Sequence, residues 1–174
     1  MIITELKKIE NLLFKEVNLK ISNVIEDKES QEYFGYNFQT EKLNFKFRKA
    51  KITPKKVGQF VTLWKRNSQN ITEPFNETDA FDFYIIATEE IEKFGFFLFP
   101  KTELIKRNIL STKLKEGKRG FRVYPSWTKT ENKQAEKTQF WQIEFFIDFT
   151  KNDNEISEKI GSILNNKQFT KPLL

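Results

Sequence analysis

The chain contains no cysteine and no histidine. Without cysteine there can be no disulfide, no thiolate nucleophile and no zinc or iron–sulfur thiolate cluster; without histidine there is no imidazole base and no imidazole-ligated metal. Ser-His-Asp and Cys-His catalysis are therefore excluded. Any reaction would rest on Asp, Glu, Lys, Tyr or Arg, and any metal would be a hard, oxygen-liganded ion such as magnesium or manganese. Glycine and proline are scarce, at six and five residues, and no Gly-rich phosphate loop is present, so no cofactor is expected. No repeat, linker or low-complexity segment divides the sequence, which reads as one domain over residues 1–174. No apolar run approaches the ~18 to 20 residues a membrane span needs. The N-terminus lacks the basic, apolar and small-residue zones of a signal peptide, so a cytoplasmic protein without membrane contact is expected.

What is present is aromatic and charged. Nineteen Phe, three Trp and four Tyr supply a core, in a chain of the length that buries roughly two thirds of its unfolded surface. The charge is sorted along the sequence: Lys42 to Thr72 carries nine bases and no acid, Glu73 to Glu92 carries seven acids and no base, and Lys93 to Lys137 carries twelve bases against four acids. Two basic segments flanking an acidic one can fold onto a shared positive face, and such a face attracts polyanions.

Apolar spacing at Ile2, Leu6, Ile9, Leu13 and Val17 predicts an amphipathic helix. Leu19 to Ile25 reads as a strand or a continuation of that helix, and Glu26 to Glu32 as a loop. Alternation predicts a hairpin of Tyr33–Gln39 and Leu43–Ile52 around Thr40-Glu41-Lys42, then a strand over Gln59–Arg66. The apolar runs Phe81–Thr88 and Phe94–Phe99 are strands, the second ended by Pro100. Thr102–Leu110 reads as a short helix, Gly117–Gly120 as a tight turn and Phe121–Tyr124 as a brief strand. Thr128 and Glu131 have capping-box spacing. Beyond them the period is double: Trp141, Ile143, Phe145, Ile147 and Phe149 alternate as a strand does, yet a helix with a wide buried face also fits and is preferred. Ile156, Ile160, Ile163 and Leu164 mark a last helix. The fold class is α/β (α+β), a central mixed sheet of about five strands with flanking helices.

Three stretches could hold an anionic partner. The Pro-Gly-bounded loop Ala50 to Phe60 brings Lys51, Lys55, Lys56 and Gln59, with Lys65 and Arg66 just beyond it; lysines supply point charges and exposed amides supply donors. Gly117 to Trp127 interleaves Lys118, Arg119 and Arg122 with Tyr124 and Trp127, planar forks beside flat faces. If Lys133 to Gln142 is helical, Lys133 and Lys137 align one turn apart, with Gln142 nearby. Each also has a plain reading as solvated surface or core. Asp82, flanked by Phe81 and Phe83, is the best-placed acid: a buried carboxylate needs a partner or a purpose.

The strings AKITPKKVGQFVTLWKR (Ala50 to Arg66), DFYII (Asp82 to Ile86), FGFFLFPK (Phe94 to Lys101), GKRGFRVYPSW (Gly117 to Trp127) and NKQAEKTQFWQ (Asn132 to Gln142) resemble the MepB family in order and spacing. The resemblance runs from about Tyr33 to Phe149 and implies no catalytic residues. A more distant likeness is to restriction-endonuclease-type folds, whose metal site needs an Asp and an acid-x-Lys triplet. Here the matching strand ends Lys49-Ala50-Lys51, with Asn37 where the Asp would stand, which implies a degenerate site. The expectation is a non-catalytic nucleic-acid-binding protein, DNA favoured. The alternatives are a magnesium-dependent nuclease or phosphotransfer enzyme using Asp82 with Glu89 or Glu90, and an interaction module for an anionic protein or metabolite.

Overall fold

The computed structural model describes residues 4–150 and 155–165. The N-terminal amphipathic pattern folds as helix α1 (Thr4–Ile9), continued by a π turn over Glu10–Phe14 and a 3₁₀ turn over Lys15–Val17. Asn18, at φ 57°, ends it in the left-handed conformation that asparagine tolerates. Ile2, the first apolar position of that pattern, lies outside the described residues.

The main sheet has six strands in the order β1-β2-β3-β8-β9-β11. Its members are β1 (Ser22–Glu26), β2 (Tyr36–Thr40), β3 (Leu43–Lys49), β8 (Phe83–Glu90), β9 (Lys93–Pro100) and β11 (Phe146–Asp148). The β3–β8 pair is parallel and every other pair antiparallel, so the sheet is mixed as expected, with one more strand than the count from sequence. Leu19–Ile25 resolves towards the strand reading.

Three expected elements break differently. The strand beginning at Leu43 stops at Lys49, and Lys51–Thr53 leaves as β4 to join β5 (Lys56–Thr62) and β10 (Gly120–Val123) in a second, three-stranded sheet. The strand over Gln59–Arg66 is likewise two: β5 ends at Thr62, and β6 (Trp64–Arg66) pairs with β7 (Thr72–Pro74). At the first break the apolar phase slips, from Leu43, Phe45 and Phe47 to Ala50 and Ile52, a signal that the reading as one strand passes over. Thirdly, helix α3 (Lys133–Gln142) ends where a 3₁₀ turn, Ile143–Phe145, converts the chain to β11. The preferred helix over that stretch is thus half right: both periods are real, one after the other. The helix is capped by Asn132, whose side chain accepts from the Ala135 amide at 2.9 Å, and not by Thr128.

Strand alternation builds three layers. Phe45, on one face of β3, stacks with Phe38 and Phe83 and meets Phe14 of the N-terminal segment. Helix α4 (Ile156–Asn165) contributes Ile160, Ile163 and Leu164 to the core. On the opposite face, Tyr84 and Phe99 pack against Phe121 of β10, and Phe99 against Trp141 of α3. Helix α2 (Lys101–Lys106) follows β9 directly, Pro100 standing immediately before it.

The second sheet is tied to the first by a buried cation. Arg48, on β3 and only 1% exposed, donates to the Thr62 carbonyl (2.6 Å), Thr62 Oγ1 (2.9 Å) and Asp27 Oδ2 (3.0 Å). Tyr84 Oη donates to the same Thr62 carbonyl at 2.8 Å.

Candidate functional site

A cleft of about 560 Å³ opens between the β4–β5 turn, β10 and α3. Lys55 and Lys56 reach it from the β4–β5 turn, Lys118 and Arg122 from β10 and its approach, and Arg107 from the residue after α2. A second cleft adjoins it, sharing Arg107, Gln134, Thr138 and Trp141 and adding Lys133 and Lys137. Together the two carry seven basic side chains and one acid, Glu131.

Local chemistry fixes the walls. Arg122 Nη2 donates to Thr53 Oγ1 at 2.6 Å and Nη1 to the Gly58 carbonyl at 3.2 Å, so this guanidinium clamps the β4–β5 hairpin that presents Lys55 and Lys56. Gly58 sits at φ +80°, and a Cβ there would stand 2.6 Å from the Tyr124 ring, so only glycine lets Tyr124 close over the hairpin. Gln142 is fully buried and joins β10 to α3: its Oε1 accepts from the Tyr124 amide and its Nε2 donates to the Arg122 carbonyl, both at 2.9 Å. The Arg107 guanidinium lies 4.8 Å from the centre of the Trp141 ring and donates to Glu103 at 2.7 Å.

Of the residues selected from sequence, Lys55, Lys56, Lys118, Arg122, Tyr124, Lys133, Lys137 and Gln142 converge on these clefts. The others are engaged elsewhere. Lys51 pairs with Glu32, Lys65 with Asp79 at 2.6 Å, and Arg66 with Glu29 at 2.9 Å. Gln59 is 2% exposed and donates to the Glu89 carbonyl. Arg119 donates to the Thr72 carbonyl and pairs with Glu116, and the Trp127 indole donates to Glu90 at 3.0 Å. Arg107 and Trp141 escaped selection as site residues: they are 34 positions apart in sequence, and nothing local in either segment shows that they meet.

The acids invoked for metal catalysis do not meet. Asp82 stands just before β8, and its Oδ2 accepts from the Asn44 amide at 2.8 Å. Glu89 and Glu90 end the same strand, about 23 and about 26 Å away at the rise of a β-strand. Glu89 is held by Lys49 at 2.9 Å and by Lys8, and the Lys49 hydrogen bond, against a smaller effect of burial, draws its carboxyl below the usual range. A two-carboxylate site of Asp82 with Glu89 or Glu90 is therefore overturned by strand geometry. Among the described residues no three acids cluster as metal ligands would. Lys49 and Lys51 of the Lys-Ala-Lys triplet are split between the two sheets.

Fold and cleft define a small α+β domain with a polar, predominantly cationic groove between a β-hairpin and a helix. The chain belongs to the MepB-like family, whose model matches residues 27–148. A solved structure, the crystal structure of MepB, is similar at 32% identity with a TM-score of 0.75, covering 87% of this chain and all of that one. A bacterial homing endonuclease aligns at 16% identity over 79% of this chain and 90% of its own, with a TM-score of 0.42, too low to assign a fold. No curated protein matches the chain. No described helix is long and apolar enough to cross a membrane.

Proposed function

We propose that this protein binds nucleic acid, DNA in the first instance, without cleaving it. The observation that carries the reading is the pair of adjoining clefts, in which bases from both basic segments outnumber acids seven to one. Five of these bases, Lys55, Lys56, Lys118, Lys133 and Lys137, make no ion pair or hydrogen bond from their ammonium groups among the described residues. That distinguishes them from Lys49, Lys51 and Lys65, whose charge is already met. Unpaired ammonium groups along a groove are what phosphate contacts require, and each phosphate neutralised releases condensed counterion.

The test is a titration of labelled DNA at several salt concentrations. Contacts from the five unpaired lysines would set a log–log slope of about −3.5 to −4.5, so binding should weaken steeply between about 50 and about 200 mM salt. Replacing Lys55, Lys56 and Lys118 together with Ala should lower affinity and flatten that slope by about two to three. Binding that ignores salt, or that the triple substitution leaves unchanged, would overturn the proposal.

A further inference from the structure

We propose that the strand held here is single, with one of its bases stacked on Phe140; this rests on the nucleic-acid reading above. Phe140 is 78% exposed, in a protein that packs most of its phenylalanines into the core. Among the described residues it makes no ring or cation contact, whereas the other conspicuously exposed phenylalanine, Phe34, has the Lys49 ammonium 5.7 Å away. The fold gains nothing from an exposed ring at that position.

Its placement gives it a use. Lys133, Lys137 and Phe140 are spaced i, i+4, i+7 on α3, so they form one stripe, with the ring about 4.5 Å further along the helix axis than Lys137. The two lysines line the second cleft, and the ring extends the row beyond it. Charge around the ring sorts what can sit there. Glu136 and Glu144, four residues to either side, are exposed acids that disfavour a phosphate beside Phe140 but leave a neutral base face free to stack. A backbone following Lys133 and Lys137 would thus place a base, not a phosphate, over Phe140. In a duplex both faces of an internal base are covered by its neighbours, so only an unpaired base can accept the ring.

The experiment compares the parent with Phe140→Ala and Phe140→Trp by fluorescence anisotropy on three DNA probes. These are a single strand, the same strand with abasic sites, and the corresponding duplex. Stacking on one base predicts that Phe140→Ala weakens single-strand binding at least about fivefold, with the salt slope unchanged, and that Phe140→Trp restores or exceeds the parent. The abasic strand and the duplex should not distinguish the variants. A parent that binds DNA while Phe140→Ala binds all three probes equally well overturns the stacking inference and leaves the nucleic-acid reading standing. Equal weakening on the duplex or the abasic strand overturns it too. A parent that binds none of the probes, at low salt, overturns both. Melting temperatures of the variants should match the parent, since the side chain removed touches no other ring.

Discussion

Replacing Arg48 with Met should be among the most destabilising single changes this protein can suffer. The methionine replaces the aliphatic stem, leaves the place of the guanidinium empty and satisfies none of the partners. Asp27 Oδ2 and Thr62 Oγ1 then lose their donor from a side chain that is 1% exposed, while the Thr62 carbonyl keeps only Tyr84. Breaking one side of a buried ion pair costs about 3 to 5 kcal/mol. A domain of this length loses about 2 to 4 °C per kcal/mol, so the melting temperature should fall by about 6 to 20 °C. The partner substitution Asp27→Asn is informative because Asn can still cap the following 3₁₀ turn, as Asp27 does through the Glu29 amide, yet leaves the guanidinium without its counter-ion. It too should destabilise. The double variant should lose clearly less than the sum, because neither charge is then left buried alone. Thermal and urea denaturation of the four proteins measure the coupling. Strict additivity would refute the coupling of Arg48 to Asp27, and an Arg48→Met variant within about 1 kcal/mol of the parent would refute Arg48 as the tie between the two sheets.

Other outcomes follow from the same structure. Burial lowers the Lys46 pKa from 10.5 to about 8. The folded state therefore binds fewer protons than the unfolded between pH 8 and 10.5, and stability gained from this group rises with pH across that window. Lys46→Met should accordingly compare most favourably with the parent at pH 7, and its advantage should shrink by up to roughly 3 kcal/mol by pH 10, as read by denaturation at both values. Gly58→Ala, strained at φ +80° and clashing with Tyr124, should lower stability by at least about 1 to 2 kcal/mol in the same assay and displace the hairpin carrying Lys55 and Lys56. Lys118→Ala should weaken DNA binding while Arg119→Ala, outside the clefts and bonded to Thr72, should not; a reversed order in the titration would move the interface. With Asp82 about 23 Å from Glu89, purified protein given magnesium or manganese should not nick supercoiled plasmid, and nicking by the parent but not by Asp82→Asn would show the reverse.

The sequence was legible where one interaction dominates a segment. Phe81–Thr88 and Phe94–Phe99 read as strands because burial on both faces demands unbroken apolar runs, and they pair as β8 and β9 down the middle of the sheet. It was misread where the break in the pattern is slight: the apolar phase of Leu43, Phe45 and Phe47 slips by one residue to Ala50 and Ile52, and there the chain changes sheets, the Ala50 amide donating to the Ala87 carbonyl of β8. The parallel pairing of β3 with β8 is set by which strands meet across 38 residues, and no local pattern encodes that.

Charge shows the same division most plainly. The sorted blocks suggest that both basic segments contribute whole to one face, but the acidic block is partly their counter-ion. Glu73 and Asp79 take Lys65, and Glu89 takes Lys49, while Arg48 turns inward to Asp27. Of the first basic segment only Lys55 and Lys56 reach the clefts, because the β4–β5 turn that carries them faces β10 and α3. A run of like charge thus sets the sign available to a surface. Which of its members remain unpaired is decided by topology, and here topology leaves the hairpin turn, β10 and α3 to line the clefts.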